Sequence, residues 1–581
     1  MKIWVGKKST ADINFIADRY KISKNVAGVL AKRGFKSTIE LDNYLFPDLK
    51  AMYNPEDMKD LKKAADILKK SIADKKKIMV IGDYDVDGIM SSYILLKGIE
   101  MLGGDVCYRI PHRVKDGYGI RDYMVDEAKE LSVETIITCD NGISAVSAGE
   151  RAKELGITYV ITDHHEVPTD EAGNEKLPPA QAIVNPKQKE CSYPFKALCG
   201  AGVAYKIMSY IFEGKGDKSY IDELLPFAAI ATVCDVVPLR DENRIIVKNG
   251  LNILSDRARM KNKGMTALLE LWEISDSVNS FDLGFKIGPC INAAGRLESA
   301  VKGLEMLLEK DSEKAKKIAL ELFELNDERK QLTNDAAEEA YRIIESENYM
   351  DRPVMVVYLE DCHESVAGIV AGRVRERYYR PAYILTKGEK DLKGSGRSIP
   401  GYHMQQELQR CQHLLTEFGG HAMAAGFSLP EENLEVFRDT LNKQCKLTED
   451  ELTERVYFDS VIPFADMDRD TVEQLKYMEP FGEDNDRATF AIQNVAVKSV
   501  YMCGKEKNIA KLQFEADGKR YYGVDFNADK CIGNAIQNRY GTKAWEDMKN
   551  GNCNGEKVDI IYVPSVNDMY GNVEFRVQDS R

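Results

Sequence analysis

The spacing of apolar residues changes character three times along the chain. Up to about residue 75 it is helical, with Ile13, Ile16, Ala17 and Tyr20, then Val26, Val29 and Leu30, and again from Leu61 to Ile72. From residue 77 short apolar runs alternate with helical stretches. The runs are Ile78-Met79-Val80-Ile81, Thr135-Ile136-Ile137-Thr138, Tyr159-Val160-Ile161 and Ala228-Ala229-Ile230-Ala231-Thr232-Val233. None shows polar alternation, which fits strands buried on both faces of a parallel sheet. Strands alternating with helices predict an α/β fold.

Residues 312–346 read as one helix, with Ala315, Ile318, Ala319, Leu322, Leu325, Ala336, Ala340 and Ile343 near helical spacing. Unbroken, it spans about 50 Å and bridges two domains. Pro353 follows, and a second α/β pattern runs from Val354 to about Leu447. Beyond the charged stretch 449–455 come strand-like runs such as Ala491 to Val495 and Asp559 to Val563, which predict a small barrel-like β domain. The expected organisation is a helical segment at 1–75, a parallel-sheet domain at 76–310, a connecting helix at 311–348, a second smaller α/β domain at 349–450 and the β domain at 455–581.

A length of 581 residues accommodates these domains, and a hydrophobic share of 44% can fill their cores. The balance of 80 Lys+Arg against 94 Asp+Glu gives a charge of -14, which excludes a generally basic coat for nucleic acid and leaves room for a local basic groove. The 12 cysteines are scattered with no CxxC pair, as expected of reduced thiols rather than a disulfide framework or structural zinc. No apolar run reaches the roughly 18–20 residues of a membrane helix. The amino terminus lacks the apolar core and cleavage site of a secretory leader, so none is expected.

The chemistry gathers where the apolar runs end. The first runs into Asp83-Tyr84-Asp85-Val86-Asp87-Gly88, the second into Cys139-Asp140-Asn141-Gly142, the third into Asp163-His164-His165 and the fourth into Cys234-Asp235. In an open parallel sheet such ends share one crevice. Carboxylates that close repel and shift one another's pKa, and a dication removes the conflict. Asp and His without thiolate favour Mn2+ or Mg2+. Two ions about 3.5–4 Å apart, bridged by a carboxylate, are the usual device for phosphodiester hydrolysis. The DxDxDG run also invites a calcium reading, but the EF-hand form needs Glu at loop position twelve, which here is Ile94.

The ordered set GDYDVDG, CDNGIS, TDHH, ATVCDVVPL and NAAGR resembles the DHH phosphoesterase superfamily. With GSGRSIPG, GGHAMAAGFSL and a β domain after them, the chain resembles its single-strand-specific exonuclease branch over nearly its whole length. The resemblance implies a DHH domain, a DHH-associated domain and an OB-like nucleic-acid-binding domain. It implies Asp83 on one metal, Asp85 on the other, Asp140 bridging both, and His164 with Asp235 completing the second site. His165 is expected near the scissile phosphate, with Asp87 and Asp163 orienting ligands. Some members carry a His two residues before the first Asp; here that position is Ile81, so the first site has fewer protein ligands.

The same resemblance places Arg113, Ser395 and Arg397 on the 5′-terminal phosphate, Arg296 on the active-site phosphates and His421 in the cleft. Ser395 and Arg397 are read as a Gly-rich turn whose amides cradle an anion. The run Arg373 to Arg380 is either a helix face near nucleic acid or a solvated helix end. Tyr501, Tyr521 and Tyr522 are candidates for base stacking. The implied activity is 5′-to-3′ hydrolysis of single-stranded DNA to 5′-mononucleotides in recombination and repair. It uses two Mn2+ or Mg2+ ions, with a single-strand-binding protein and a RecQ-type helicase as partners, in a bacterial cytoplasm and away from membranes. Rival readings are a DHH phosphoesterase of short oligonucleotides, cyclic dinucleotides or pyrophosphate, which needs no β domain, and a non-catalytic scaffold, which would have lost ligands that are all present here.

Overall fold

A computed structural model of the chain describes residues 2–113, 115–275, 277–347, 349–504, 506–567 and 570–581. Two compact units form. One comprises Pro47–Glu454 with Gly482–Asp484, the other Met1–Phe46 with Arg455–Phe481 and Asn485–Arg581.

The larger unit contains a five-stranded parallel sheet. In space its strands run Val106–Arg109, Ile78–Ile81, Thr135–Cys139, Thr158–Thr162 and Ala182–Val184. Ile78 and Val80 enter one core while Met79 and Ile81 enter the other, the two-sided burial that unbroken apolar runs predict. After Ile78–Ile81 the chain goes first to one side of that strand and then returns to the other. A crevice for ligands opens at the carboxyl ends where strand order reverses in this way. That point lies between Ile78–Ile81 and Thr135–Cys139, the two strands followed by Asp83, Asp85 and Asp140.

The fourth apolar run is not a strand. It lies inside the helix Tyr220–Cys234, whose residues from Leu224 to Thr232 are all buried. A run apolar at every position has no period to separate strand from buried helix. Asp235 therefore caps a helix.

The helix Ser312–Ser346 is unbroken over 35 residues. Ala319, Leu322 and Leu325 enter the core of the first sheet, and Ala337, Ala340 and Ile344 enter a second core. That second core lies under a sheet ordered Glu417–Gly420, Ala424–Leu429, Leu392–Arg397, Ala382–Lys387 and Met355–Tyr358, in which only the last pair is parallel. The Gly-Ser-Gly-Arg run expected to form a turn is instead the end of the strand Leu392–Arg397, paired on both edges. Its glycines answer to packing. A Cβ on Gly394 would lie 2.2 Å from the Phe427 ring, and one on Gly396 2.8 Å from the Met404 sulfur.

In the smaller unit the strands Phe490–Cys503, Ile509–Ala516, Lys519–Asp525, Val573–Ser580 and Lys557–Val566 close into a barrel, the last pairing back onto the first. The chain's first residues depart from the helical expectation. Ile3–Gly6 is a strand, paired parallel to Arg455–Phe458. Helices Ile13–Tyr20 and Lys24–Ala31 bury Ile16, Val26, Val29 and Leu30 in the core that holds Phe464, Phe514 and Tyr562. The expected segment 1–75 thus divides between the two units near Pro47. A four-residue strand is too short to imprint a period on the sequence. Among the described residues no helix is long and apolar enough to cross a membrane.

Candidate metal centre and substrate cleft

Glycine lets the first acidic loop fold tightly. A Cβ on Gly88 would lie 2.5 Å from the Asp83 backbone, so only glycine brings the helix Val86–Met101 this close to the loop before it. Asp85 caps that helix, accepting from the Gly88 amide at 3.0 Å. Asp87 is buried and accepts from the amides of Gly200 and Ala201 at 2.6 and 2.7 Å, where the helix Gly200–Glu213 begins. A carboxylate is favoured there by the free amides and the helix dipole.

Asp140 has φ 61°, the left-handed region that Asp and Asn tolerate best. Asn141 fixes the loop behind it, donating to the Ile81 and Cys139 carbonyls at 3.1 and 2.9 Å and accepting from the Ile120 amide at 3.2 Å. Asp163 is fully buried and accepts from the amides of Ile143, His164 and His165 and from His165 Nδ1, at 2.7–3.0 Å. These bonds tie it to the backbone of both histidines and to the His165 ring.

The ligand-type atoms converge in three overlapping groups, each within 4.8 Å: Asp83, Asp85 and Asp140; Asp140, His164 and His165; and Asp87, His164 and Asp235. Asp140 belongs to two of them. His164 Nε2 lies 3.0 Å from Asp140 Oδ1 and 3.7 Å from Asp235 Oδ2. Among the described residues these three buried atoms make no hydrogen bond. Buried polar atoms left unpaired are costly, and atoms that converge without bonding to one another suit a shared cation.

Electrostatics agree. Burial, then neighbouring carboxylates, hold Asp83 and Asp140 well above the usual carboxylate range and push Asp235 up to about 9. Burial pulls His164 down and favours its neutral form, the form able to bind a metal. Burial opposes charge on His165 too, but the Asp163 hydrogen bond and nearby carboxylates outweigh it and raise it to about 9. Cys139 and Cys234 adjoin the cluster, yet burial keeps both thiols protonated. An oxygen- and nitrogen-only donor set fits Mn2+ or Mg2+.

Beside the cluster lies a cavity of about 580 Å3, lined by Arg113, Arg296, Ser395 and Arg397 among others. Arg113 stacks on the Tyr84 ring, its guanidinium 4.2 Å from the ring centre. Arg296 Nη1 donates to the Ser365 carbonyl at 2.5 Å. Burial and the cations Arg113, Arg329 and Arg397 push Arg296 down, an arrangement that an incoming anion relieves. His421 occupies the exposed turn after Glu417–Gly420 and is not among the cavity's lining residues. The Arg373 to Arg380 run is the end of a helix with its charges engaged: Arg373 on Asn334, Arg377 on Glu345 and over Tyr341, and Arg380 on the Leu452 carbonyl.

The profile of the DHH family, N-terminal domain, matches residues 77–232; those of the DHHA1 domain and the RecJ OB domain match 351–447 and 458–579. The single-stranded-DNA-specific exonuclease RecJ of Dickeya dadantii is 35% identical over 564 residues, covering 93% of this chain and 92% of that protein. The chain belongs to the RecJ family. The RecJ of Haemophilus influenzae is 36% identical over 472 residues, covering 78% of this chain and 80% of its own. The crystal structure of RecJ in complex with Mn2+ from Thermus thermophilus superposes with a TM-score of 0.79 at 25% identity, covering all of this chain and 79% of that one.

Within this RecJ-family site, Tyr118 escaped sequence reasoning because a tyrosine in Asp116-Gly117-Tyr118-Gly119 looks like a turn residue. Its hydroxyl donates to the Asp140 carbonyl at 2.7 Å and lies 3.0 Å from His165 Nδ1. In the barrel, Tyr501 and Tyr522 are 67% and 51% exposed, whereas Tyr521 packs on Phe464 and Phe575. Asp163→Asn leaves one acceptor oxygen where two served four donors. Mn2+ affinity is expected to fall by about 10–100-fold. A Mn2+ titration followed by thermal shift checks this, and unchanged affinity would count against the orienting role.

Proposed function

We propose that this RecJ-family chain is a metal-dependent exonuclease that degrades single-stranded DNA from its 5′ end to 5′-mononucleotides. One observation carries the reading: the Asp140 carboxylate is shared by two ligand groups, and a cavity rich in arginine lies beside them. A shared carboxylate suits two-ion phosphodiester hydrolysis, and a confined cationic pocket suits a terminal phosphate.

Asp83 and Asp140 would hold one ion, and Asp85, Asp140, His164 and Asp235 the other. Bound there, Mn2+ or Mg2+ supplies Lewis-acid activation of water and neutralises phosphoryl charge. Every other task falls to side chains. Asp163 holds His165 protonated and aimed at the scissile phosphate, where its positive charge offsets charge developing on phosphorus-bound oxygen. Tyr118 fixes the Asp140 backbone and the His165 ring together. Arg296 grips an active-site phosphate, while Arg113, Ser395 and Arg397 hold the terminal one, setting cleavage one nucleotide from the end. The fork of Arg397 matches two phosphate oxygens at once.

The domains proposed to do this are 76–310 for catalysis, 349–450 for the terminal phosphate and 455–581 for grip, joined by the helix at 311–348, with 1–75 as an N-terminal segment. In the barrel unit a cavity of about 640 Å3 is lined by Lys7, Tyr457, Arg487, Phe526 and Arg576, and Arg576 lies 4.7 Å from the Phe526 ring centre. With Tyr501 and Tyr522 these groups offer cations to the backbone and rings to the bases. The role that follows is strand resection in recombination and repair, in the cytoplasm, alongside a single-strand-binding protein and a RecQ-type helicase.

The test is digestion of long single strands with Mn2+, labelled at one end or the other. Label at a 5′-terminal nucleotide should appear at once as mononucleotide, while 3′ label stays in long products. Early loss of 3′ label, or action on dinucleotides alone, would overturn the reading.

A further inference from the structure

The cavity beside the metal centre extends beyond the groups that a terminal phosphate needs. Along Leu392–Arg397 the side chains of Arg397, Ser395 and Lys393 fall on one face of the strand, and all three line the cavity. Lys393 stands roughly 13 Å from Arg397 along the strand. The Arg397 end adjoins the metal-side groups. Its guanidinium packs against Gly368, three residues along the same helix from Ser365, whose carbonyl holds Arg296. Lys393 marks the far end. Its Nζ lies 2.8 Å from Ser428 Oγ and 3.7 Å from Glu417, a carboxylate 78% exposed and so a weak partner.

Between these ends the floor is bare backbone. Gly419, Gly426 and Ser395 are direct neighbours across three strands. A Cβ on Gly419 would meet nothing within 4 Å, and one on Gly426 only the Gly394 carbonyl at 4.0 Å. Neither glycine has a left-handed φ. The fold therefore does not require glycine at either position, in contrast to Gly394 and Gly396. The space they leave open lies within a cavity that four cations line, Arg113, Arg296, Lys393 and Arg397, against two carboxylates, Glu364 and Glu417.

We propose that this extension holds the outer phosphates of a DNA strand whose 5′ end carries a triphosphate. The inference rests on the 5′-exonuclease reading, which puts the first phosphate at Arg113, Ser395 and Arg397. The next two then run over Gly426 and Gly419 toward Lys393. Strands begun de novo keep the triphosphate of their first nucleotide, so synthesis of that class supplies the substrate. In hydrolysis a water oxygen bonds the phosphorus between nucleotides one and two, and the P–O3′ bond breaks. One water proton goes to O3′ and the other stays with the new terminal phosphate. The first product is a nucleoside 5′-triphosphate, and the shortened strand carries a 5′-monophosphate.

The experiment compares one DNA sequence bearing a 5′-monophosphate or a 5′-triphosphate, digested with Mn2+ and resolved by anion exchange. The triphosphorylated strand is expected to release one nucleoside triphosphate and then monophosphates. Lys393→Gln, which removes a charge-assisted contact, and Gly426→Val, which fills the floor, are each expected to lower kcat/KM for the triphosphate end about tenfold relative to the monophosphate end. Digestion of the monophosphorylated strand while the triphosphorylated one resists would overturn the proposal and leave the exonuclease reading standing. So would variants that affect both ends equally. If neither strand is digested, both readings fall.

Discussion

Asp140→Asn is expected to lower Mn2+-dependent hydrolysis by about three orders of magnitude or more, on the scale of losing a group that stabilises the transition state. Asp140 is the carboxylate common to two candidate ligand groups, so under the proposed reading its loss would disturb both ions rather than one. Asparagine is the more telling replacement because it keeps the volume and tolerates the left-handed backbone at φ 61°, where alanine adds a strain of about 1–2 kcal/mol. The metal-free variant should fold as well as the parent, because burial and the neighbouring carboxylates already disfavour the ionised form of Asp140 and asparagine brings no charge into the cluster. A second readout separates binding from chemistry. Saturating Mn2+ stabilises a protein that binds it only when folded, by about 2.7 kcal/mol at a hundredfold excess over Kd. In the variant most of that thermal shift should vanish. An Asp140→Asn protein that keeps a tenth of the activity, or the whole Mn2+ shift, would refute the shared-ligand role.

The candidate ligands could be read before the structure because their residue types are unexpected in the positions they occupy. Acidic and imidazole side chains directly after unbroken apolar runs have few structural reasons to be there, and four such sites in order point to one crevice. All three overlapping groups in the structure are made of residues singled out on this basis. Strand order was hidden, because the reversal beside Ile78–Ile81 depends on long-range pairing that leaves no local period. The helix Tyr220–Cys234 was misread for a related reason: buried on every side, it carries no amphipathic stripe. Glycines show the same limit. Gly394 and Gly426 look alike in a Gly-rich run, yet one yields to a phenylalanine ring and the other faces open space. Tyr521 and Tyr522 are adjacent, so alternation puts one inward and one outward, but the sequence does not say which.

Glu242→Leu is expected to destabilise the larger unit by about 3–5 kcal/mol, the usual cost of stranding a buried charge. Glu242 and Lys206 form an ion pair at 2.9 Å with both side chains almost wholly buried. Burial pulls the Lys206 pKa down, and the nearby carboxylate works against that pull. Many buried pairs can be exchanged for apolar residues at little cost, because the attraction only repays desolvation. This one differs in what else it holds. Glu242 also accepts from the Tyr53 amide at 2.8 Å and the Tyr193 hydroxyl at 2.5 Å, and Lys206 donates to the Tyr53 carbonyl at 2.7 Å. Replacing both partners removes the stranded charge but still withdraws the partners of a buried hydroxyl and two main-chain groups, at about 1–3 kcal/mol for each left unsatisfied. The double variant Lys206→Met/Glu242→Leu should therefore recover only part of the loss in urea unfolding. The helix Gly200–Glu213 carries Lys206 in its first half and begins at the amides that hold Asp87. Loosening it should weaken Mn2+ binding in both variants, whereas full recovery of stability in the double variant would mean that the network around Tyr53 and Tyr193 contributes nothing.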